Sequence, residues 1–447
     1  MRKLYPCLLA LMFLIGCQPD EQPLPVDDLD TELREAIRAA HSDGADHFML
    51  PDPNDLSAVP ADPNNPLTQA KVHLGKLLFH EPLLGIEARD VAGRQSYSCA
   101  SCHHAAAGFQ AGRVQGIGEG GSGFGQRGEA RIANPEYVSV NLDVQPIRSP
   151  SILNTAYQEV MLWNGALGGV GINAGTESQW SAGSNEENNH LGFEGVETQA
   201  IAGMKVHRLN CDLQEMSTAG YGELFDAAFP EVPVPDRYDR TRAALAMAAY
   251  ERTVLPNRAP WQQYLRGDDS AMSLAEKRGA ALFLGKANCT TCHTGPALSS
   301  MSFHAIGMGN ISDVPEEVFL VPTDPIQNLG RGGFTQNSLE YYRFKTPQLY
   351  NLVDSPFYGH GGTFRNLRDV IRYKNEAVPE NPEVPEVRLS PLFRPLELSE
   401  AEIDDLVAFL RTGLYDAELE RYVPESLPSG NCFPNNDPIS RVDVGCE

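Results

Sequence analysis

The sequence predicts a mainly α-helical fold, shared between two domains with long loops. Three observations carry this. Helical runs with their own caps recur along the chain, and the alternation expected of half-buried strands is scarce. A Cys-x-x-Cys-His motif occurs twice, with His103 and His293 190 residues apart, far enough for one domain each. Forty glycines and 33 prolines in 447 residues leave much of the chain to loops.

Arg2 and Lys3 precede an apolar stretch, Leu4 to Ile15, that is too short to span a bilayer and reads as an export leader. It ends in Leu14-Ile15-Gly16-Cys17, which is similar to the bacterial lipobox and implies cleavage before Cys17 and lipidation of its thiol. Gln18, in place of Asp, favours the outer membrane. Residues 1–16 are thus expected to be a signal peptide, and 17–30, rich in Pro and Asp, a tether. The mature chain is expected in the periplasm, touching the membrane only through its lipid.

Pro66 opens a helical run through Leu74, Leu77 and Leu78, and the Ala-rich residues 241–255 read as another helix. Ser273-x-x-Glu276 is a capping box ahead of a helix broken at Gly285. Ser399-x-x-Glu402 caps one with Ile403, Leu406, Val407 and Leu410 on one face and Gly413 as its stop. Composition is that of a folded soluble chain, 42% hydrophobic and 21% charged, which excludes a disordered chain and a multi-span membrane protein. Thirty-five Lys and Arg against 59 Asp and Glu give −24, a poor match to nucleic acid and a good one to a basic partner.

Nine cysteines sort by place. Cys7 leaves with the leader and Cys17 is the lipid site. Cys432 and Cys446 are expected to pair and close the tail, 421–447. Cys211 is left as a buried free thiol. The other four form Cys99-Ala-Ser-Cys102-His103 and Cys289-Thr-Thr-Cys292-His293. In such a motif two thiols add across the vinyl groups of one haem, and the adjacent His binds the iron. A disulfide redox pair or half a zinc site would use the same Cys spacing. Two copies, each with its His, in an exported chain favour two covalently bound haems c. The expected division is 31–255 and 256–420, each a cytochrome c-like haem domain.

The surrounding residues resemble the bacterial dihaem cytochrome c peroxidases and the related MauG enzymes of methylamine utilisation. The likeness rests on Leu74-Gly75-Lys76-Leu77-Leu78-Phe79, Ser98 to His103, Arg148 to Asn154, Leu162-Trp163-Asn164-Gly165, Gln199-Ala200, Phe344 to Asn351 and Pro356 to Gly362. It implies that peroxide reacts at the His103 haem and that the His293 haem relays electrons. It further implies that Trp163 bridges them and that Gln199 lines the peroxide pocket. Without the likeness, Trp163 reads as a core tryptophan. Hydrogen peroxide and a small c-type cytochrome or cupredoxin donor are the implied partners. A Ca²⁺ between the domains is common in the family, but the matching positions, near Arg148/Ser149 and Ser355/Pro356, diverge.

Three departures bear on the chemistry. The family's loop His, sixteen residues after the proximal His, is replaced by Glu119 in Gly116-Ile117-Gly118-Glu119-Gly120-Gly121. The family's catalytic Glu position falls on Leu209, and the nearest titratable group is His207. His207 or Glu119 is therefore expected to be the acid–base group; a packed structural His and a solvated loop acid are the plain alternatives. The sixth-ligand position of the relay haem falls on Lys374, with Tyr373 one residue off, and Met301 or Met308 as further candidates. Residues 164–198 form a long insert that reads as a lid or a docking surface. The function expected is peroxide reduction. A MauG-like oxidase acting on a protein or organic substrate, and a non-enzymatic dihaem carrier, are the rivals.

Overall fold

The computed structural model describes residues 26–446. The signal peptide, Cys7, Cys17 and residues 17–25 of the expected tether lie outside the described residues. The tether gives way at Val26, where a helix runs to Ala40. Its Leu29, Leu33 and Ile37 recur on one face and are buried, which a solvated linker would not allow.

The fold is mainly helical. Strand is limited to two short antiparallel ladders, Gly121–Ser122 with Ile132–Ala133 and Phe303–His304 with Phe344–Lys345. Helix Gln69–Phe79 starts at a Thr68 cap that accepts from the Lys71 N–H at 3.1 Å, so Pro66 precedes the helix rather than opening it. Helix Arg240–Arg252 stops short of the expected 255 because Pro256 disfavours helical geometry at Leu255. Both capping boxes form, at Ser273/Glu276 and Ser399/Glu402. The second helix ends its α-helical part at Ala408 and closes on Gly413 in one π turn.

Two close helix pairs frame the two motifs. A Cβ on Gly75 would lie 1.9 Å from the Ala246 carbonyl oxygen, so helix 69–79 rests directly on the backbone of helix 240–252. Gly279 meets the Asp405 carbonyl in the same way, at 2.0 Å, which seats helix 274–284 on helix 400–408. The main core runs unbroken across both halves. Phe48, Trp261 and Phe409 stack edge to face at 6.3 and 5.4 Å. The expected boundary at 255/256 therefore falls on buried chain, with Leu255, Ala259 and Trp261 all inside.

The chain ends cross over. Helix 26–40 packs on helix 274–284, where Asp30 pairs with the buried Lys277 at 2.7 Å. The tail packs on the first motif. The Ser98 hydroxyl donates to the Pro434 carbonyl at 2.8 Å, and Asp437 pairs with the buried Arg131 at 3.2 Å. The expected Cys432–Cys446 disulfide is present. Cys432→Ser is expected to lower stability by about 3 kcal/mol, the loop-closure entropy of a short loop, read as a lower denaturant midpoint. Cys211 is free and half-buried.

The 164–198 insert is ordered by its own asparagines. Asn173 donates to the Gly165 and Gly168 carbonyls at 3.0 and 2.9 Å, and Asn189 donates to Ala166 at 2.9 Å. Trp180 packs with Ala166 and Phe334 beneath it. Among the described residues no helix is long and apolar enough to cross a membrane.

Candidate functional site

The two motifs fold alike. Each begins in a short 3₁₀ turn, Cys99–Ser101 or Cys289–Thr291. In each the His backbone N–H closes back on the first Cys carbonyl, at 3.2 and 2.8 Å. His103 Nδ1 lies 3.3 Å from the Phe109 carbonyl, and His293 Nδ1 lies 3.1 Å from those of Leu298 and Pro347. A carbonyl only accepts, so Nδ1 carries the proton and Nε2 keeps a free lone pair. Burial pulls both imidazoles down to about 4 and keeps them neutral, the form that binds a metal.

All four motif cysteines are unbridged. Burial pushes their thiols up, Cys102 and Cys289 to about 12, which is opposite to the low-pKa thiol of a redox pair. Among the described residues no group of three or more His, Cys, Asp or Glu is placed to hold a metal, so the half-zinc reading finds no other half.

A cavity of about 780 Å³ opens behind the second motif. Cys289, Cys292 and His293 line it together with Lys374, Met308 and Trp163, and apolar side chains such as Leu349, Ile371 and Leu406 complete the wall. Thiols, a free imidazole nitrogen and an apolar slot of this size fit a haem. Lys374 reaches the cavity from helix Leu367–Glu376, and burial lowers its ammonium to about 8. Tyr373 does not line the cavity; its hydroxyl donates to the Ile306 carbonyl and its ring packs between Phe364 and Phe393. Met301 is also absent from the lining, whereas Met308 is part of it. Trp163 donates from Nε1 to the Arg148 carbonyl at 2.8 Å and meets His360 edge to face at 6.5 Å.

The first motif has different neighbours. His207 caps helix Gly195–Val206, and its Nδ1 lies 2.8 and 3.0 Å from the two oxygens of Asp143. The His207 side chain is 33% exposed and Asp143 only 4%, so the carboxylate anchors a ring that still reaches open space. Burial alone would lower the His207 pKa, but the Asp143 charge outweighs it and holds the imidazole above its ordinary range. The pair lies near the motif: burial is the main cause of both shifts, and charge on His207 adds to the lowering of His103 while Asp143 adds to the raising of the Cys102 thiol. The loop from Gly116 to Gly118 passes between them. A Cβ on Gly116 would sit 2.7 Å from Cys102 Sγ, and one on Gly118 2.3 Å from an Asp143 oxygen. Gln199 is two helical turns before His207, and Gly203 leaves the space between their side chains open.

Glu119, the other candidate acid–base group, is held inside the fold. It is fully buried, paired with Arg208 and bonded by the Tyr137 hydroxyl and the Arg89 and Asp90 N–H groups, the last two at 2.6 and 3.2 Å. Three of these donors crowd Oε1 and Arg208 holds Oε2, so the buried carboxylate is turned away from open space and locked in place. Glu119→Ala is expected to cost about 3 kcal/mol, because the Arg208 charge loses its partner; a thermal or denaturant midpoint checks it.

Asp143 is the residue that sequence reasoning missed, since Leu142-Asp143-Val144 carries no motif and its partner is 64 residues away. Arg148 belongs to one of the shared motifs and lies at a position matched to the family's calcium site. Its guanidinium is buried and donates to Gln110 Oε1 and the Arg113 carbonyl, each at 3.0 Å, and to Ser355. No carboxylate pairs with it among the described residues. The Ser355 hydroxyl, at one of the positions matched to the family's calcium site, accepts from Arg148 and donates to the Ala111 carbonyl.

A family model described as di-haem cytochrome c peroxidase matches residues 69–270. The methylamine utilization protein MauG of Methylophilus methylotrophus is 30% identical over 377 residues, 82% of this chain and 87% of that protein. The cytochrome-c peroxidase IdrP1 of Denitromonas iodatirespirans is 29% identical over 394 residues, 84% of this chain and 89% of that one. A crystal structure of a MauG-like protein associated with microbial copper homeostasis is similar in fold, with a TM-score of 0.55 at 24% identity, over 83% of this chain and 95% of that chain.

Proposed function

This chain belongs to the dihaem cytochrome c peroxidase and MauG family of oxidoreductases, and from that premise we propose that it reduces hydrogen peroxide to water with electrons from a small periplasmic carrier. Cys99, Cys102 and His103 would hold one haem and Cys289, Cys292 and His293 the other, in cytochrome c-like regions within 31–255 and 256–420. Lys374 would be the second axial ligand of the latter. When bound, the haems would supply peroxide coordination and one-electron storage.

One observation carries the reading: an acid–base pair stands beside His103, while the cavity beside His293 is faced by Lys374. Asp143 accepts from His207 Nδ1–H, which fixes the tautomer and leaves Nε2 to work. Neutral His207 takes a proton from the near oxygen of peroxide and returns it to the far oxygen, so that water leaves. Gln199, on the same helix face, orients the peroxide through its amide. Trp163, which lines the His293 cavity and is fixed there by the Arg148 carbonyl, would bridge the two haems. Each turnover takes two electrons and two protons to two waters. A lipid anchor at Cys17 and a periplasmic, outer-membrane location accompany the proposal.

The base must be neutral, so activity rises with pH through an inflection above 6.5, His207 being held high by Asp143. Asp143→Asn removes the raising charge and leaves the burial that lowers. Its inflection in kcat/KM is expected below 6.5.

The test is steady-state peroxide consumption by the haem-loaded protein with a reduced small c-type cytochrome. Donor oxidation at roughly tens per second is expected. Negligible oxidation with both haems present would reject the peroxidase and leave the non-enzymatic dihaem carrier or the MauG-like oxidase. A lysine at the second axial position favours that reading, because a nitrogen ligand lowers the potential that a thioether would raise.

A further inference from the structure

Arg148 is 1% exposed, yet it carries a guanidinium with only neutral oxygens around it. Gln110 Oε1 and the carbonyls of Ala111, Arg113 and Val114 accept from it at 3.0 to 3.5 Å, and so does the Ser355 hydroxyl. Ser355 passes its own proton to the Ala111 carbonyl at 2.7 Å. The ring of Phe357 lies under the guanidinium at 5.1 Å. The backbone of the same residue is used twice more: its N–H donates to the His360 carbonyl at 3.0 Å, and its carbonyl accepts from Trp163 Nε1.

One residue thus ties together three pieces of chain. Residues 110–114 continue from the first motif, residues 357–360 border the cavity of the second, and Trp163 lines that same cavity. Carbonyl and hydroxyl oxygens converging from two segments are the ligand type of a hard divalent cation. A fixed planar cation with five N–H donors satisfies them as well, and it cannot dissociate.

We infer that Arg148 is a built-in cation that does the work of an inter-segment metal ion, and that it positions Trp163 between the two motifs without calcium. The electron-path half of this rests on the function proposed above; the cation half does not.

The test uses the haem-loaded full chain. Metal analysis is expected to find no stoichiometric calcium, and EGTA is expected to leave the thermal midpoint unchanged. Arg148→Met is expected to slow electron equilibration between the two haems, followed by flash photolysis, by roughly tenfold. Arg148→Lys, which keeps a charge and some donors, recovers part of this, and added calcium recovers none in either variant. Stoichiometric calcium whose removal by EGTA lowers the midpoint would overturn the proposal. So would an equilibration rate in Arg148→Met equal to wild type. Should Arg148→Met fail to fold, the chelator arm and Arg148→Lys decide. Should the protein lack peroxidase activity altogether, the calcium and midpoint results stand unaffected.

Discussion

Replacing His207 with alanine is expected to lower kcat for peroxide reduction by about 10² to 10⁴, the range that a positioned proton-transfer group contributes. The change should leave both haem spectra intact, because His207 holds no iron in this account and its side chain is a third exposed. His207→Gln keeps a donor toward Asp143 and separates lost chemistry from the cost of an unpaired buried carboxylate. If the alanine variant retained wild-type kcat, proton transfer would belong to another group. Glu119 is poorly placed to take over, since it is fully buried and held by four donors.

Replacing Lys374 with methionine is expected to raise the potential of the second haem by on the order of 0.1 V, a part of the ~0.8 V that axial ligands span. Lysine and methionine are similar in length, and the exchange removes an ammonium that burial already disfavours. Folding should therefore survive. A spectroelectrochemical titration with the low-spin optical bands as readout measures the shift. An unchanged spectrum and potential would take Lys374 off the iron and assign the position to Met308, which lines the same cavity.

What was legible in the sequence was chemistry confined to neighbouring residues. Two thiols and an imidazole must be adjacent to serve one haem, so both motifs could be read directly. Ser273/Glu276 and Ser399/Glu402 cap their own first turns and were equally plain. The expectation at Lys374 rests on a count along one short segment, and the helix puts Lys374 in the cavity lining and its neighbour elsewhere. One residue turns the side chain by about 100°, which sends Tyr373 to the Ile306 carbonyl instead of the cavity.

What was not legible depends on long-range packing. Asp143 acquires its role only when its loop folds beside the end of helix 195–206. Glu119 sits in a Gly-rich loop at the position of a family haem ligand, but Arg208, with φ of 56°, turns its side chain into that loop and locks the carboxylate. The tether ended early because Leu29 and Ile37 find a partner helix in the other half of the chain. The crossing of both chain ends could not be inferred from local pattern, and neither could the neutral cage of Arg148.

The most direct measurement is the optical and paramagnetic spectrum of the ferric protein as matured, with haem counted per chain. The account predicts two haems, one high-spin with an open position beside His207 and one low-spin with nitrogen ligands from His293 and Lys374. Two low-spin, six-coordinate haems, in the resting protein and after half-reduction alike, would contradict it, because no iron would then offer peroxide a place next to the His207–Asp143 pair.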